Sequence, residues 1–387
     1  MEILMTSIVD LVKSQHNRPH QFVKYLSKKH NITVVSINDW WKGKQHDFEE
    51  YSKEWRKVLE KIDIVYVTDK RISPVIQENA YPYFAIKRLL KNKSFDVHIN
   101  YNSLTLGYFA TKSLLKQGVP TIFDLADDLV GMISESPQIP RPLRPIGAKV
   151  GREILKKNIK LSKKITVTNS YLKEKYNIPN NKAVVLPNGV DTELFRNYGN
   201  TKSQLGLEDY FVVGYVGVLR EWVDFEPIYQ ALRELPEDII FLVVGKEGRY
   251  QENIELAKKY GVIEKVRFVG NVPYSKVPVY ISAMDVGVIP FKLNSITEHA
   301  LPLKLFEYMA CEKPVISTSL PAVMDVAKEE VLYANTNKEW KEKILLLYEN
   351  CESRNYIGNR GRTFVERNYD WKRILEIQES ILEESLK

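Results

Sequence analysis

Cysteine is almost missing from this sequence: Cys311 and Cys351 are the 2 present in 387 residues. Two thiols cannot build a disulfide framework, which favours a reducing compartment. No apolar run approaches the ~18–20 residues that cross a bilayer. The opening MEILMTSIVD lacks the basic start of a secretory signal and reads as a first strand. Also missing are G-x-G-x-x-G and G-x-x-x-x-G-K-[ST], the two common phosphate-loop fingerprints. Without H-E-x-x-H, C-x-x-C or G-x-S-x-G, zinc-hydrolase and serine-esterase chemistry has no support. There is no internal repeat and no low-complexity segment. The expectation is a cytoplasmic protein that meets a membrane only at its surface.

What is present is an alternation of short β-branched runs with longer helical patterns. Strands are expected at 2–8, 32–37, 63–68, 96–101, 119–123, 164–168 and 183–186. The rhythm restarts at 211–216, 239–244, 265–269, 285–289, 314–317 and 330–333. Apolar strands separated by helices mean parallel sheets covered on both faces. Two such series predict an α/β chain of two doubly wound, Rossmann-like domains, 1–190 and 191–371, joined through the turn-rich PNGVDTELFRN. Residues 372–387 read as a terminal helix with Ile374, Leu375, Ile377, Ile381 and Leu382 apolar, suited to packing back on the first domain. In such domains ligands gather beyond the strand C-terminal ends, here expected to face each other across a cleft.

The net charge of +7 conceals an asymmetry. Residues 1–190 hold the whole basic excess, and the second half carries more acid than base. The first half therefore suits something anionic, a phospholipid surface or a phosphorylated acceptor, although a solvated basic face has the same composition. Nucleic acid fits the charge, but no matching motif is present. The basic segment running from Arg141 and Arg144 through KVGREILKKNIKLSKK (149–164) is open to two readings. It could lie on an anionic membrane with its leucines and isoleucines down, or be an ordinary helix with a solvated lysine side.

Chemistry-bearing residues follow the strands. Beyond the strand ending at Val216, Gly217 allows close backbone approach, and Arg220 can reach a phosphate with several donors. Within ALPLKLFEYMACEKPVIST (300–318), Pro302 suits the first helical position, so the amides of Leu303 and Lys304 point outward at the positive helix end. Lys304 and Glu307 lie roughly 60° apart on one side, opposite Leu303, Leu305, Phe306, Met309 and Ala310. Such a pair suits a nucleoside diphosphate, the lysine on phosphate and the glutamate on ribose. A plain surface ion pair is the competing account. In the first half, His16-Asn-Arg18-Pro-His20 leads into a helix expected near Gln21, with Arg18 and His20 as acceptor-side candidates. Asp124, Asp127 and Asp128 could bind a cation, though helix capping by Asp is the simpler use.

Taken together, NGVD at 188–191, GYVGVLREWVDF at 214–225, VRFVGNVP at 266–273 and PLKLFEYMACEKPVIST at 302–318 resemble glycosyltransferase family 4, retaining enzymes of the GT-B fold that use nucleotide sugars. The likeness covers the second half specifically and the first half loosely, through RPHQF and FDLADD. It is closest to members that build bacterial cell-surface polysaccharides or glycolipids. The resemblance makes Arg220 and Lys304 diphosphate ligands, Glu307 the ribose ligand and the backbone around Val272 a contact to the base. Glu298 approaches the donor sugar, one position before the family's usual glutamate site, which His299 occupies. Ala126 stands where many members have histidine, beside Asp127, which is assigned to orienting sugar or acceptor. Glu312 stands where the family has a turn glycine; if that site requires φ > 0, the glutamate costs about 1 kcal/mol.

The implied reaction moves a sugar from a nucleoside-diphosphate donor, UDP being the first candidate, to a hydroxyl of a cell-envelope glycan or lipid-linked acceptor, without metal or other cofactor. Two alternatives stay open: a GT-B nucleotide-sugar epimerase, and a non-catalytic nucleotide-sugar-binding subunit.

Overall fold

The computed structural model describes residues 1–14, 16–40, 55–136, 139–294 and 297–387. It divides into two compact units: Met1–Asn188 with Lys372–Lys387, and Gly189–Trp371. The first holds strands β1 (Glu2–Ser7), β2 (Asn31–Ser36), β3 (Ile62–Tyr66), β4 (Val97–Tyr101), β5 (Thr121–Leu125), β6 (Lys164–Val167) and β7 (Ala183–Val185). They form one parallel sheet in the order β3-β2-β1-β4-β5-β6-β7. The second holds β8 (Phe211–Val216), β9 (Ile239–Val244), β10 (Val266–Gly270), β11 (Val286–Ile289), β12 (Val315–Ser317) and β13 (Val331–Tyr333), ordered β10-β9-β8-β11-β12-β13. All its ladders are parallel too. Every expected strand is present: the central strands are apolar runs buried on both faces, while β3, β7, β10 and β13 keep partly exposed positions.

In both sheets the order reverses beside the first strand, between β1 and β4 and between β8 and β11. Two adjacent crossovers leave in opposite directions there and open a crevice at the strand C-termini. Small residues let the layers close behind it. A Cβ on Gly214 of β8 would stand 2.1 Å from the Met284 sulfur, and one on Gly287 of β11 would stand 2.4 Å from the Tyr308 ring.

The terminal helix runs Trp371–Leu386 and belongs, from Lys372 onward, to the first unit. Ile374, Leu375, Ile381 and Leu382 are buried, whereas Ile377, counted on the apolar face from the sequence, is exposed. Glu379 ties the helix to the first unit, accepting from Lys29 at 2.8 Å and from Tyr25 at 3.3 Å, with the His30 Nε2 3.1 Å away. No helix among the described residues is long and apolar enough to cross a membrane.

Candidate functional site

In the second unit the site grows from the end of β8. Gly217 has φ of +131°, a conformation open to glycine, and a Cβ there would stand 3.3 Å from the Lys304 Nζ. The missing side chain is thus what lets the ammonium lie against the strand end. Lys304 extends from helix Leu303–Ala310, whose Leu305, Phe306, Tyr308, Met309 and Ala310 are buried. The Tyr308 hydroxyl accepts from the Val216 amide at 2.8 Å, fixing this helix to the last residue of β8. Pro302 stands just outside the helix as its N-cap, with φ −71° and ψ 134°, so Leu303 rather than Pro302 takes the first helical position. The proline still points the chain into the helix, and the Leu303 and Lys304 amides meet no acceptor among the described residues.

The Lys304 Nζ lies 5.0 Å from the ring centroids of both Tyr215 and Phe291. Neither it nor the Glu307 carboxylate has a hydrogen bond or close ion pair among the described residues. The competing account of a surface i,i+3 ion pair is therefore not what is built. Burial pushes the Lys304 ammonium below the ordinary lysine range and the Glu307 carboxyl above the ordinary carboxylate range, each opposed by the other's charge. Both residues keep some solvent contact, so their hydration is reduced, not abolished. An incompletely hydrated ammonium without an anion partner is a receptor for one.

Two loops hold the strand end in place. Residues 217–223 run beside the loop after β9: Leu219 donates to the Glu247 carbonyl at 3.0 Å and Arg249 to the Leu219 carbonyl at 2.8 Å. Gly248 has φ of +79°, and a Cβ on it would stand 2.2 Å from the Leu219 oxygen. On the other side Lys292 donates to the Trp222 carbonyl at 2.7 Å and Asp224 to the Pro290 carbonyl at 2.8 Å. Arg220 is exposed at the tip between them. The sequence reading missed Gly245, Gly248 and Tyr308. A glycine pair just after β9 was the available signal, and nothing local marks the tyrosine.

Glu298 is half-buried and pairs with the adjacent His299, Nε2 to Oε1 3.0 Å. Val272 is half-buried beyond β10 and packs on the unit's core. Glu312 has φ of +60°, the left-handed conformation anticipated for the family's glycine.

In the first unit the picture differs. Arg18 is 3% exposed and donates through Nε and Nη2 to the two Asp124 oxygens, each at 2.8 Å, and through Nη1 to the Pro187 carbonyl at 2.8 Å. His20 is also buried, its ring nitrogens 2.7 Å from the Asn17 Oδ1 and 3.2 Å from the Leu11 carbonyl; burial lowers its pKa to about 3. Both acceptor-side candidates are thus occupied with protein groups. The helix carrying them starts at Arg18, not near Gln21, because Asn17 caps it. Asp128 caps helix Leu129–Glu135 through the Gly131 amide at 2.9 Å. Among the described residues no group of three metal-type ligands occurs. Asp127 accepts from the Asn102 Nδ2 at 2.6 Å, and Asn102 itself sits at φ +46° beyond β4. Asp127 is open to solvent, and the protein around it, with the Asp124 and Asp128 charges, raises its carboxyl above the ordinary value, Asn102 and the Arg18 charge opposing.

A parallel-sheet unit repeated twice, the second with a lysine and helix amides that have no hydrogen-bond partner among the described residues at its switch point, defines the class: a GT-B architecture. Residues 16–194 match the model of Glycosyltransferase Family 4, and residues 199–364 match that of Glycosyl transferases group 1. The chain belongs to this family of glycosyltransferases. A glycosyltransferase assigned to teichuronic acid biosynthesis, TuaH of Bacillus subtilis, is 30% identical over 178 residues, 43% of each chain. The chain spans about half the length of the curated relatives it matches. Among solved structures, sucrose-phosphate synthase of Thermosynechococcus elongatus has a TM-score of 0.76 at 16% identity, covering 99% of this chain and 98% of that one. HepE of Anabaena, solved with UDP and glucose, has a TM-score of 0.72 at 14% identity, covering 99% of this chain and 100% of that one.

Proposed function

We propose that the protein transfers a sugar from a nucleoside diphosphate to a hydroxyl of a cell-envelope glycan or glycolipid, with retention at the anomeric carbon and in the cytoplasm. The observation that carries this is the unpaired Lys304 ammonium, held against Gly217 beside the free amides of Leu303 and Lys304. As the glycosidic bond breaks, negative charge accumulates on the departing diphosphate, and donors already aimed at that oxygen stabilise it without reorganising. Arg220, exposed in the adjoining loop, supplies further donors. Glu307, one turn along the helix, accepts from ribose hydroxyls, and the backbone near Val272 receives the base. Glu298 contacts the donor sugar, and Asp127 orients sugar or acceptor. UDP is the first candidate, supported by the UDP-bound HepE fold relative. The cations do what a metal would otherwise do at the diphosphate.

Calorimetric titration of UDP, GDP and ADP into wild type, Lys304→Ala and Glu307→Ala tests the site. One nucleotide binds, and the lysine variant loses about 2 kcal/mol or more, roughly thirtyfold. A folded protein that binds none of the three overturns the reading. Analysis of products then separates a glycosylated acceptor from an epimerised sugar, and both from a subunit that only binds.

A further inference from the structure

Helices Pro82–Leu89, Thr105–Leu115 and Arg144–Leu161 lie side by side over one face of the first unit's sheet. Their inner sides are ordinary core: Ile86, Leu89, Leu106, Leu114 and Leu155 are buried. Their outer sides are not an ordinary solvated surface. Phe84 is 69% exposed and Ile146 62% exposed, with Val150 and Tyr83 also open to solvent, as are Leu143 just before the third helix and Met132 on the neighbouring helix Leu129–Glu135. Tyr83 stacks edge-on against Phe84 and Phe109 at centroid distances of 5.3 and 5.8 Å, and Phe109 touches Tyr108 at 5.5 Å. A run of four touching rings, two exposed and two half-buried, is unusual on the surface of a protein that needs no partner there.

Charge says what covers it. The first two helices contain no acidic residue, and the third contains one, Glu153, already paired with Lys156 at 2.8 Å. Lys87 stands 5.7 Å from the Tyr83 ring, and Lys112 and Lys157 stand 5.7 and 5.6 Å from the Tyr108 ring. Lys157 therefore joins the aromatic run to the third helix, where Ile146 and Val150 lie roughly 40° apart, with Leu143 just before the helix start. Exposed Lys149 lies beside them, and exposed Arg152 further round the helix. Apolar and aromatic tips set among unpaired cations match an interface with an anionic head-group layer above hydrocarbon. An acidic protein surface would complement the cations but leave the aliphatic tips without a matching depth of hydrocarbon.

We propose that this three-helix face docks the protein on an anionic phospholipid bilayer. Tyr83, Phe84, Ile146 and Val150 insert at the head-group boundary, and Lys87, Lys112 and Lys157 pair with lipid phosphates. The surface is carried by the first unit alone, so the proposal stands apart from the nucleotide site.

The test is co-sedimentation of the full chain with vesicles of pure phosphatidylcholine and of phosphatidylcholine with phosphatidylglycerol, at low and high salt. Expected is binding to the anionic vesicles only, weakened by salt. The pair Phe84→Ser with Ile146→Ser and the pair Lys112→Glu with Lys157→Glu each lower it about tenfold or more. In a Phe84→Trp variant, tryptophan emission shifts to shorter wavelength on vesicle addition. All variants keep the wild-type circular dichroism and thermal unfolding profile, which shows that the first unit is folded, and wild-type nucleotide binding, which keeps failure here distinct from failure at the nucleotide site. No binding to anionic vesicles overturns the proposal, as does binding that neither pair changes. Concentration-dependent dimerisation abolished by Phe84→Ser also overturns it, because the face would then belong to a second copy of the chain.

Discussion

Arg18 stands beyond β1 in the first unit and Lys304 stands beyond β8 in the second, at equivalent edges of two parallel sheets. Arg18 is closed on all sides by Asp124, the Pro187 carbonyl and Asn188 Oδ1. Lys304 has two aromatic rings and no hydrogen-bonded anion among the described residues, Glu307 one turn on acting through its charge alone. Topology gives both units the same crevice, but one fills it with an internal ion pair and the other leaves its charge available. A cation at a strand end is thus a site only when the fold withholds its counter-ion.

The sharpest way to break this contrast is to remove each cation and measure stability. Arg18→Ala leaves the Asp124 carboxylate buried beside the Thr166 hydroxyl with no counter-charge, and should cost about 3–5 kcal/mol in urea unfolding. Arg18→Ala with Asp124→Ala should recover part of that loss. A cost below about 1 kcal/mol for the single variant would mean that Asp124 is not stranded and that the pair is not structural.

Lys304→Met should cost much less, about 1 kcal/mol or under, because no hydrogen-bonded group is stranded and Glu307, which loses only the ammonium's charge, can take up a proton instead. Its loss should appear in nucleotide affinity, about thirtyfold or more. The sign of the pH dependence follows from the same burial. An ammonium held below the ordinary lysine range loses its proton earlier on the alkaline side, and binding a diphosphate favours the charged form. Affinity should therefore fall as pH rises through the free protein's Lys304 value, and binding there should take up protons. Calorimetry in buffers of different ionisation enthalpy reads that uptake; a pH-independent affinity up to the ordinary lysine range would contradict the assignment.

Glu379 tests whether a less buried pair in the first unit follows its buried one. Desolvation raises its carboxyl, but hydrogen bonds from Lys29 and His30 and their charges outweigh it, so the folded value is below the ordinary one. A depressed carboxylate stabilises the protein above its unfolded pKa of about 4.3 and ceases to do so as pH falls through the folded value. Wild type and Glu379→Gln should differ in stability at pH 6.5 and converge as pH falls through the folded Glu379 value, below the unfolded one. A difference that stays constant across that range would show that the helix is held by packing alone.

The strands were legible because a buried parallel strand declares itself in four or five consecutive apolar residues, as in IIFLVV at 239–244 and FVVGYV at 211–216. The Lys304–Glu307 helix was legible through its proline and its apolar back. Arg18 was not, because its partner Asp124 lies 106 positions away and a paired arginine looks the same as a free one in sequence. Tyr308 escaped for the same reason: its hydroxyl braces Val216 across 92 positions, while locally it is one more apolar residue on a helix. Periodicity reports which side of an element is buried, not which distant polar group it meets.

The smallest effect concerns the one backbone departure that sequence did expose. Glu312 ends the Lys304 helix at φ +60°, with its amide bonded to the Met309 carbonyl at 2.9 Å and that of Lys313 to the Tyr308 carbonyl at 3.0 Å. This is a left-handed helix ending that glycine adopts without a Cβ penalty. Glu312→Gly should therefore stabilise the second unit by about 1 kcal/mol, less the exposed hydrogen bond from Asn197 to the carboxylate. Glu312→Ala keeps the strained Cβ and loses the same hydrogen bond, so it should give no gain. Because Glu312 lies beyond the far end of the helix from Leu303, nucleotide affinity should be unchanged in both. A stabilised glycine variant with weakened nucleotide binding would mean that the strain at 312 helps to set the position of Lys304, and would extend the site of the second unit to the far end of its helix.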